Sequence, residues 1–241
     1  MSNGKYGNLL TGLLVLAIIG VIGLLVFLGI DLFNKFNLDK EQIKGVEQFD
    51  SQVPDIEEPE LPEYSYIEET PSSNTSAANI VNPFDNMEKP ATTAGPKATS
   101  NKKGVTYEHN GKKYLQVGTI SIPKTGLNCA ILDNAGKNEL EIAVGVMYGV
   151  GLNQVGNTVI AGHNYRNGTL FSKNKNIQVN DKINIKDING RTVTYTVYNI
   201  FETQQEDTSY FNKDTEGKRE ITLYTCNDDS SRRLIIEARA D

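Results

Sequence analysis

The stretch "ITLYTCNDDSSRRLIIEARAD", residues 221–241, sets two short apolar runs on either side of a small polar loop. Isoleucine, leucine, threonine and tyrosine suit extended backbone, and successive side chains of a strand point to opposite faces. In the first run Ile221 and Leu223 share one face, while Thr222, Tyr224 and Cys226 share the other. In the second run Leu234, Ile236 and Ala238 form an apolar face, with Arg233, Ile235 and Glu237 opposite. Apolar faces turned toward a core put Cys226 and Arg233 on the outer wall, side by side across a hairpin at Asn227–Arg232. Arg232 has inward parity, but within a loop parity does not apply, so both arginines stay candidates.

The same texture extends back to about Val105. Short runs rich in Thr, Val, Ile and Tyr alternate with turn signals, and Asn110-Gly111 and Asn189-Gly190 are dipeptides of type I′ hairpins. The pattern predicts strands at Tyr114–Ile122, Asn128–Leu132, Thr158–Ala161, Lys182–Lys186, Thr192–Phe201, Arg219–Thr225 and Arg233–Ala238. Asn138–Tyr148 reads as a helical turn leading into a loop. Many short strands with little helix predict an all-β sandwich or barrel over 105–241.

The remainder differs. Residues 1–104 hold the whole surplus of six negative charges, and residues 105–241 are balanced. No basic run or zinc-finger spacing marks a nucleic-acid binder, so no nucleic acid is expected as a partner. Leu9–Ile30 is 22 residues without a charge. As a helix it spans about 33 Å, enough for a hydrocarbon core of about 30 Å. A secretory signal peptide is the rival reading, but its apolar region is shorter and no A-x-A-like site follows Ile30, which favours an uncleaved anchor over 1–30. Lysines flank the span on both sides (Lys5; Lys35, Lys40, Lys44), so charge alone does not set its orientation. Asp31–Phe49 reads as an amphipathic continuation of the helix. Residues 46–70 then carry nine Asp/Glu and no Lys/Arg, and 71–104 are rich in Ser, Thr, Asn, Ala and Pro. With few large apolar residues to offset ordering entropy, 50–104 reads as a mostly disordered stalk. Residues 31–104 are thus assigned to a juxtamembrane helix and stalk, interrupted by Asn82-Pro83-Phe84.

The chain has two cysteines and two histidines. A thiol attacks as thiolate, so a nucleophilic cysteine needs a cation or base beside it. Arg233 supplies fixed charge, and His163 in "TVIAGHNYRNG" stands after a buried run and Gly162, where it emerges at a strand end. Cys226 with His163 is the minimum pair for acyl transfer through a thioester. A second reading stands beside it: a stalked, non-enzymatic extracellular binding module in which Cys226 and Cys129 form a disulfide. His109, ahead of an Asn-Gly turn, reads as surface, and Cys129 as a core-strand residue.

Thr222-Leu223-Tyr224-Thr225-Cys226, followed by Arg233 or Arg232, with "AGHN" some sixty residues upstream, resembles the sortase family of Gram-positive bacteria. "GTISIPKTGLNCAILDNA" is similar to the family's opening strands. The resemblance implies an all-β fold: an eight-stranded β-barrel with short helices, here preceded by a transmembrane helix and a disordered stalk. It implies a transpeptidase with Cys226 as nucleophile, His163 as acid and base, Arg233 on substrate and oxyanion, and Thr225 assisting in substrate binding. Its partners would be surface proteins or pilins bearing an LPXTG-like sorting signal, and an amine of peptidoglycan or a pilin. A hydrolase, in which water resolves the thioester, is the neighbouring reading. No cofactor is expected; the carboxylates Glu139, Glu141, Glu206 and Asp207 are the residues that calcium activation would draw on. Asn82-Pro83-Phe84 is similar in place to the lid of pilin-polymerising relatives, with Asn where Asp is usual. The expected location is the cell membrane, single-pass, with the β-rich domain outside.

Overall fold

The computed structural model describes residues 3–56 and 103–241. Asn82-Pro83-Phe84 and residues 57–102 of the expected 50–104 stalk lie outside the described residues. Helix α1 runs Asn3–Gln52. The chain divides into two compact units, Met1–Lys40 and Glu41–Asp241. In the first, the helix contains an 18-residue window of mean hydropathy 3.2. By length and composition it is able to cross a membrane.

The second unit is built on nine strands among the described residues: β1 (Val105–His109), β2 (Lys112–Ile122), β3 (Leu127–Leu132), β4 (Val144–Gly149), β5 (Gly156–Ala161), β6 (Lys182–Asp187), β7 (Thr192–Thr203), β8 (Arg219–Cys226) and β9 (Arg233–Ala240). Helix α2 is one turn, Lys137–Leu140, and a 3₁₀ segment covers Phe171–Asn176. The order β2-β3-β4-β5-β8-β9-β7-β6 returns to β2, so eight strands close a barrel and β1 extends it as a hairpin. Closure removes the sheet edges that would otherwise expose unpaired backbone.

Alternation fills the barrel as the sequence predicts. Ile221, Leu223, Ile236 and Ala238 are fully buried in the interior with Ile120, Cys129, Ile183 and Val197. The opposite faces of β8 and β9 are also covered: Tyr224 and Ile235 pack outside the barrel with Leu140, Tyr210 and Phe211. This second layer lets the outer wall carry half-enclosed chemistry.

Two strands depart from the sequence reading. Asn138–Tyr148 yields only the turn α2, and then β4 forms. It is hard to see because it pairs with β3 at just Ile131↔Val144 and Leu132↔Gly145, and its pairing with β5 shifts register between Val146 and Tyr148. Gly145 leaves no room for a side chain, since a Cβ there would stand 2.1 Å from the Asn134 carbonyl oxygen. β1 is the other addition, the first arm of the Asn110-Gly111 hairpin.

The end of α1 and the residues after it belong to the barrel unit. Phe49 and Val53 are buried with Val105. Gln48 Nε2 donates to the Thr106 carbonyl at 2.8 Å, and Lys186 Nζ reaches Asp50 and Asp55 at 2.8 and 2.9 Å.

Candidate active site

The topology carries Cys226 and His163 to one end of the barrel. β5 and β8 run parallel, with Ala161 opposite Tyr224. Two residues further, β5 has left the sheet and β8 reaches its last residue at the same rim, so His163 and Cys226 line one cavity although 63 positions separate them. β9 returns antiparallel, with Arg233 directly opposite Cys226. A cavity of about 280 Å³ is lined by residues that include His163, Cys226, Arg233, Tyr224, Gln205 and Thr225.

Gly162 precedes His163 for reasons of space. A Cβ there would lie 2.7 Å from the Phe171 ring and 2.8 Å from Val144. The 161–164 segment is laced to β8 by three bonds. Gly162 N donates to the Tyr224 carbonyl at 3.1 Å, Thr225 Oγ1 donates to the Gly162 carbonyl at 2.7 Å, and Asn164 Nδ2 donates to the Cys226 carbonyl at 3.1 Å. Thr225 is 2 % exposed, so its hydroxyl is committed to holding the histidine segment. Asn164 also donates to Asp228, which pairs with Lys175 at 2.7 Å.

His163 is half-buried, its ring 5.0 Å from that of Tyr165. Burial lowers its pKa from the ordinary value, and the charge of Glu141 opposes that shift in part. The neutral imidazole is therefore the form favoured at neutral pH, able to take up a proton.

Arg233 is 5 % exposed. Its Nε donates to Tyr224 Oη at 2.8 Å and its Nη2 to Gln205 Oε1 at 2.6 Å. Arg232 is exposed, reaches away to the Glu202 carbonyl at 2.9 Å, and does not line the cavity. Strand parity, which favours Arg233, and the loop position of Arg232 thus hold in three dimensions.

The disulfide alternative is overturned. Both cysteines are free thiols. Cys129 is fully buried inside the barrel, where burial pushes its thiol up to about 12. Cys226 is part-exposed on the outer wall, so the sheet itself stands between them. Among the described residues no group of three or more His, Cys, Asp or Glu gathers closely enough to hold a metal.

Three residues around the site escape sequence reasoning. Tyr224 is foreseeable in part, since parity puts it on the same face as Cys226. Gln205 sits in the connection between β7 and β8, where no periodicity points to it. Asn164 is adjacent to His163, but its bond to the cysteine carbonyl follows only from the parallel register.

The β-rich part of the chain is similar to known proteins. The Sortase domain model matches residues 120–241. A Sortase A of Bacillus anthracis is 35 % identical over 127 residues, covering 50 % of this chain and 57 % of the relative. A Sortase A of Streptococcus agalactiae serotype III (strain NEM316) is 29 % identical over 135 residues, covering 52 % and 53 %. The chain thus spans little more than half the length of these relatives. Similar solved structures include a Clostridium perfringens Sortase D5 transpeptidase (27 % identity, TM-score 0.48, covering 52 % of this chain and 79 % of that one). Sortase A from Corynebacterium diphtheriae is another (30 %, 0.49, 53 % and 61 %).

Proposed function

The chain belongs to the sortase family, and on that premise we propose that it is a membrane-anchored cysteine transpeptidase acting on LPXTG-like sorting signals. The observation that carries the reading is the meeting of Cys226, His163 and Arg233 in one half-enclosed cavity on the outer wall. The Cys226 thiol gives up its proton to His163 as its sulfur attacks the threonine carbonyl carbon of the signal. The carbonyl oxygen gains negative charge, and the Arg233 guanidinium offsets it. The C–N bond to glycine then breaks, and His163 delivers a proton to the departing amine. A thioester remains on Cys226. An incoming amine loses its proton to His163, attacks the thioester carbon, and expels the sulfur as the new amide forms.

The other residues set geometry. Thr225 and Asn164 tie the histidine segment to the cysteine strand, and Tyr224 aims the arginine. Such fixing matters because a reacting pair held in place gains many orders of magnitude over a free one. Sorting-signal-bearing surface proteins or pilins are the donor partners, and a peptidoglycan or pilin amine the acceptor. The apolar helix anchors the chain as a single span through Leu9–Ile30, with the barrel outside the cell, where such acceptors lie.

The test uses the full chain in detergent with a fluorogenic LPXTG peptide, with and without an oligoglycine amine. The expected result is cleavage that depends on Cys226 and an amide product when the amine is present. Cleavage that persists at full rate in Cys226→Ala, or no cleavage at all by protein with an intact thiol, overturns the reading.

A further inference from the structure

A guanidinium has five N–H donors in a fixed fork, and one buried beside a nucleophile must find acceptors for them. Two of the groups that receive Arg233 differ in kind. Tyr224, which takes Nε, is 3 % exposed, lies in strand β8, and is packed among Leu140, Tyr210 and Ile235. It is built into the wall. Gln205, which takes Nη2 at 2.6 Å, lies beyond the end of β7 in the connection to β8 and is part-exposed. It reaches into the cavity from a loop.

The acceptor that Gln205 offers is an amide carbonyl oxygen, the same group that a peptide backbone offers. Its place is on the cavity's arginine, next to the thiol. An extended peptide whose scissile carbonyl sits over Cys226 brings its own carbonyl oxygens to this guanidinium. Both cannot hold the same N–H at once.

We propose that Gln205 is a specificity-determining residue that keeps a substrate carbonyl's place on Arg233 Nη2 and gives it up when an extended peptide enters. The proposal rests on the acyl-transfer reading of the site and names what a substrate must do there. A peptide that presents a carbonyl exchanges one bond for another of the same type at little cost. A molecule without one can displace Gln205 only by leaving that cationic donor unmatched, a mismatch that polar sites reject strongly. The loop thus filters entrants before any bond to sulfur forms.

Steady-state kinetics of the full chain in detergent with a sorting peptide separate this from a fixed supporting role. In Gln205→Ala the competing bond is gone, so KM falls by about three- to tenfold while kcat stays within about twofold. In Gln205→Glu the bond becomes charge-assisted, and KM rises by about tenfold or more. Opposite movements of KM in the two variants support the proposal. Wild-type turnover combined with a lowered kcat, or an unchanged or raised KM, in Gln205→Ala overturns it alone and makes Gln205 a prop for the arginine. A wild-type protein that leaves the peptide uncut removes the acyl-transfer reading, and this proposal with it.

Discussion

Cys129 and Cys226 lie on opposite sides of one barrel wall, and everything that distinguishes them follows from that. Cys129 belongs to β3 and points inward among Ile120, Ile131 and Ile183, with no exposure. Burial drives its thiol up to about 12, so it acts as a small hydrophobe. Cys226 closes β8 on the outer face, opposite a guanidinium and beside an imidazole. The two side chains are chemically the same, but one face supplies a closed, mostly apolar core and the other supplies charge, a proton carrier and an opening. Reactivity in this fold is thus a matter of strand parity and of reaching the strand's end.

The largest break in that comparison comes from the thiols themselves. Cys226→Ala is expected to reduce peptide cleavage to background with the urea midpoint unchanged. Cys129→Ala is expected to keep the rate and lose about 1–2 kcal/mol of stability, from lost contacts and a small cavity. Initial rates and urea titrations of both variants check the pair. Next comes the arginine. Arg233→Ala should lower kcat/KM by about a hundredfold to a thousandfold, the effect of losing one oxyanion donor. Arg232→Ala, on the exposed loop, should change it less than about twofold.

A third effect concerns the outer wall away from the cavity. Lys213 bridges Glu220 and Glu237 at 2.7 and 2.8 Å, and Arg239 joins Glu220 at 2.7 Å. Burial alone would raise the Glu220 pKa, but bonds from Lys213, Tyr198 and Arg239 outweigh it and leave the carboxyl below its usual range. Lys213→Met leaves both carboxylates short of a partner and is expected to cost about 2–3 kcal/mol in urea titration. Breaking the half-exposed Lys175–Asp228 pair, which solvent screens, should shift the urea midpoint far less.

The smallest effect is a titration. Burial holds His163 below its ordinary value of about 6.5. Its stability contribution is therefore present above pH 6.5 and is lost as the pH falls toward its folded value, because the unfolded chain takes up the proton first. An NMR titration of the imidazole should give a midpoint below 6.5. Glu141→Gln should move it lower still, since that carboxylate opposes the shift.

The sequence discloses much of this through alternation. Parity alone sets Cys226 and Arg233 on one face and Ile221, Leu223, Ile236 and Ala238 on the other, and the barrel keeps that arrangement. Alternation is silent where the chain leaves regular structure. β4 hides because its pairing is short and shifted, with a glycine at its second position. Gln205 hides because a loop residue's target depends on the path of the whole connection. Residues 41–56 show spaced apolar side chains, yet nothing local tells that Phe49 and Val53 cover Val105. Pairs set by strand register can be inferred from pattern, and pairs set by a loop's path need coordinates.

The most direct test of the central claim is to trap the acyl intermediate. The full chain is mixed with a sorting peptide in the absence of amine, quenched in acid, digested and mapped by mass spectrometry. The expected result is that the fragment bearing Cys226 gains the acyl mass ending at threonine, that hydroxylamine removes it, and that the Cys129 fragment is unmodified. Peptide cleavage with no adduct on Cys226, or an adduct on Cys129 instead, would contradict the account.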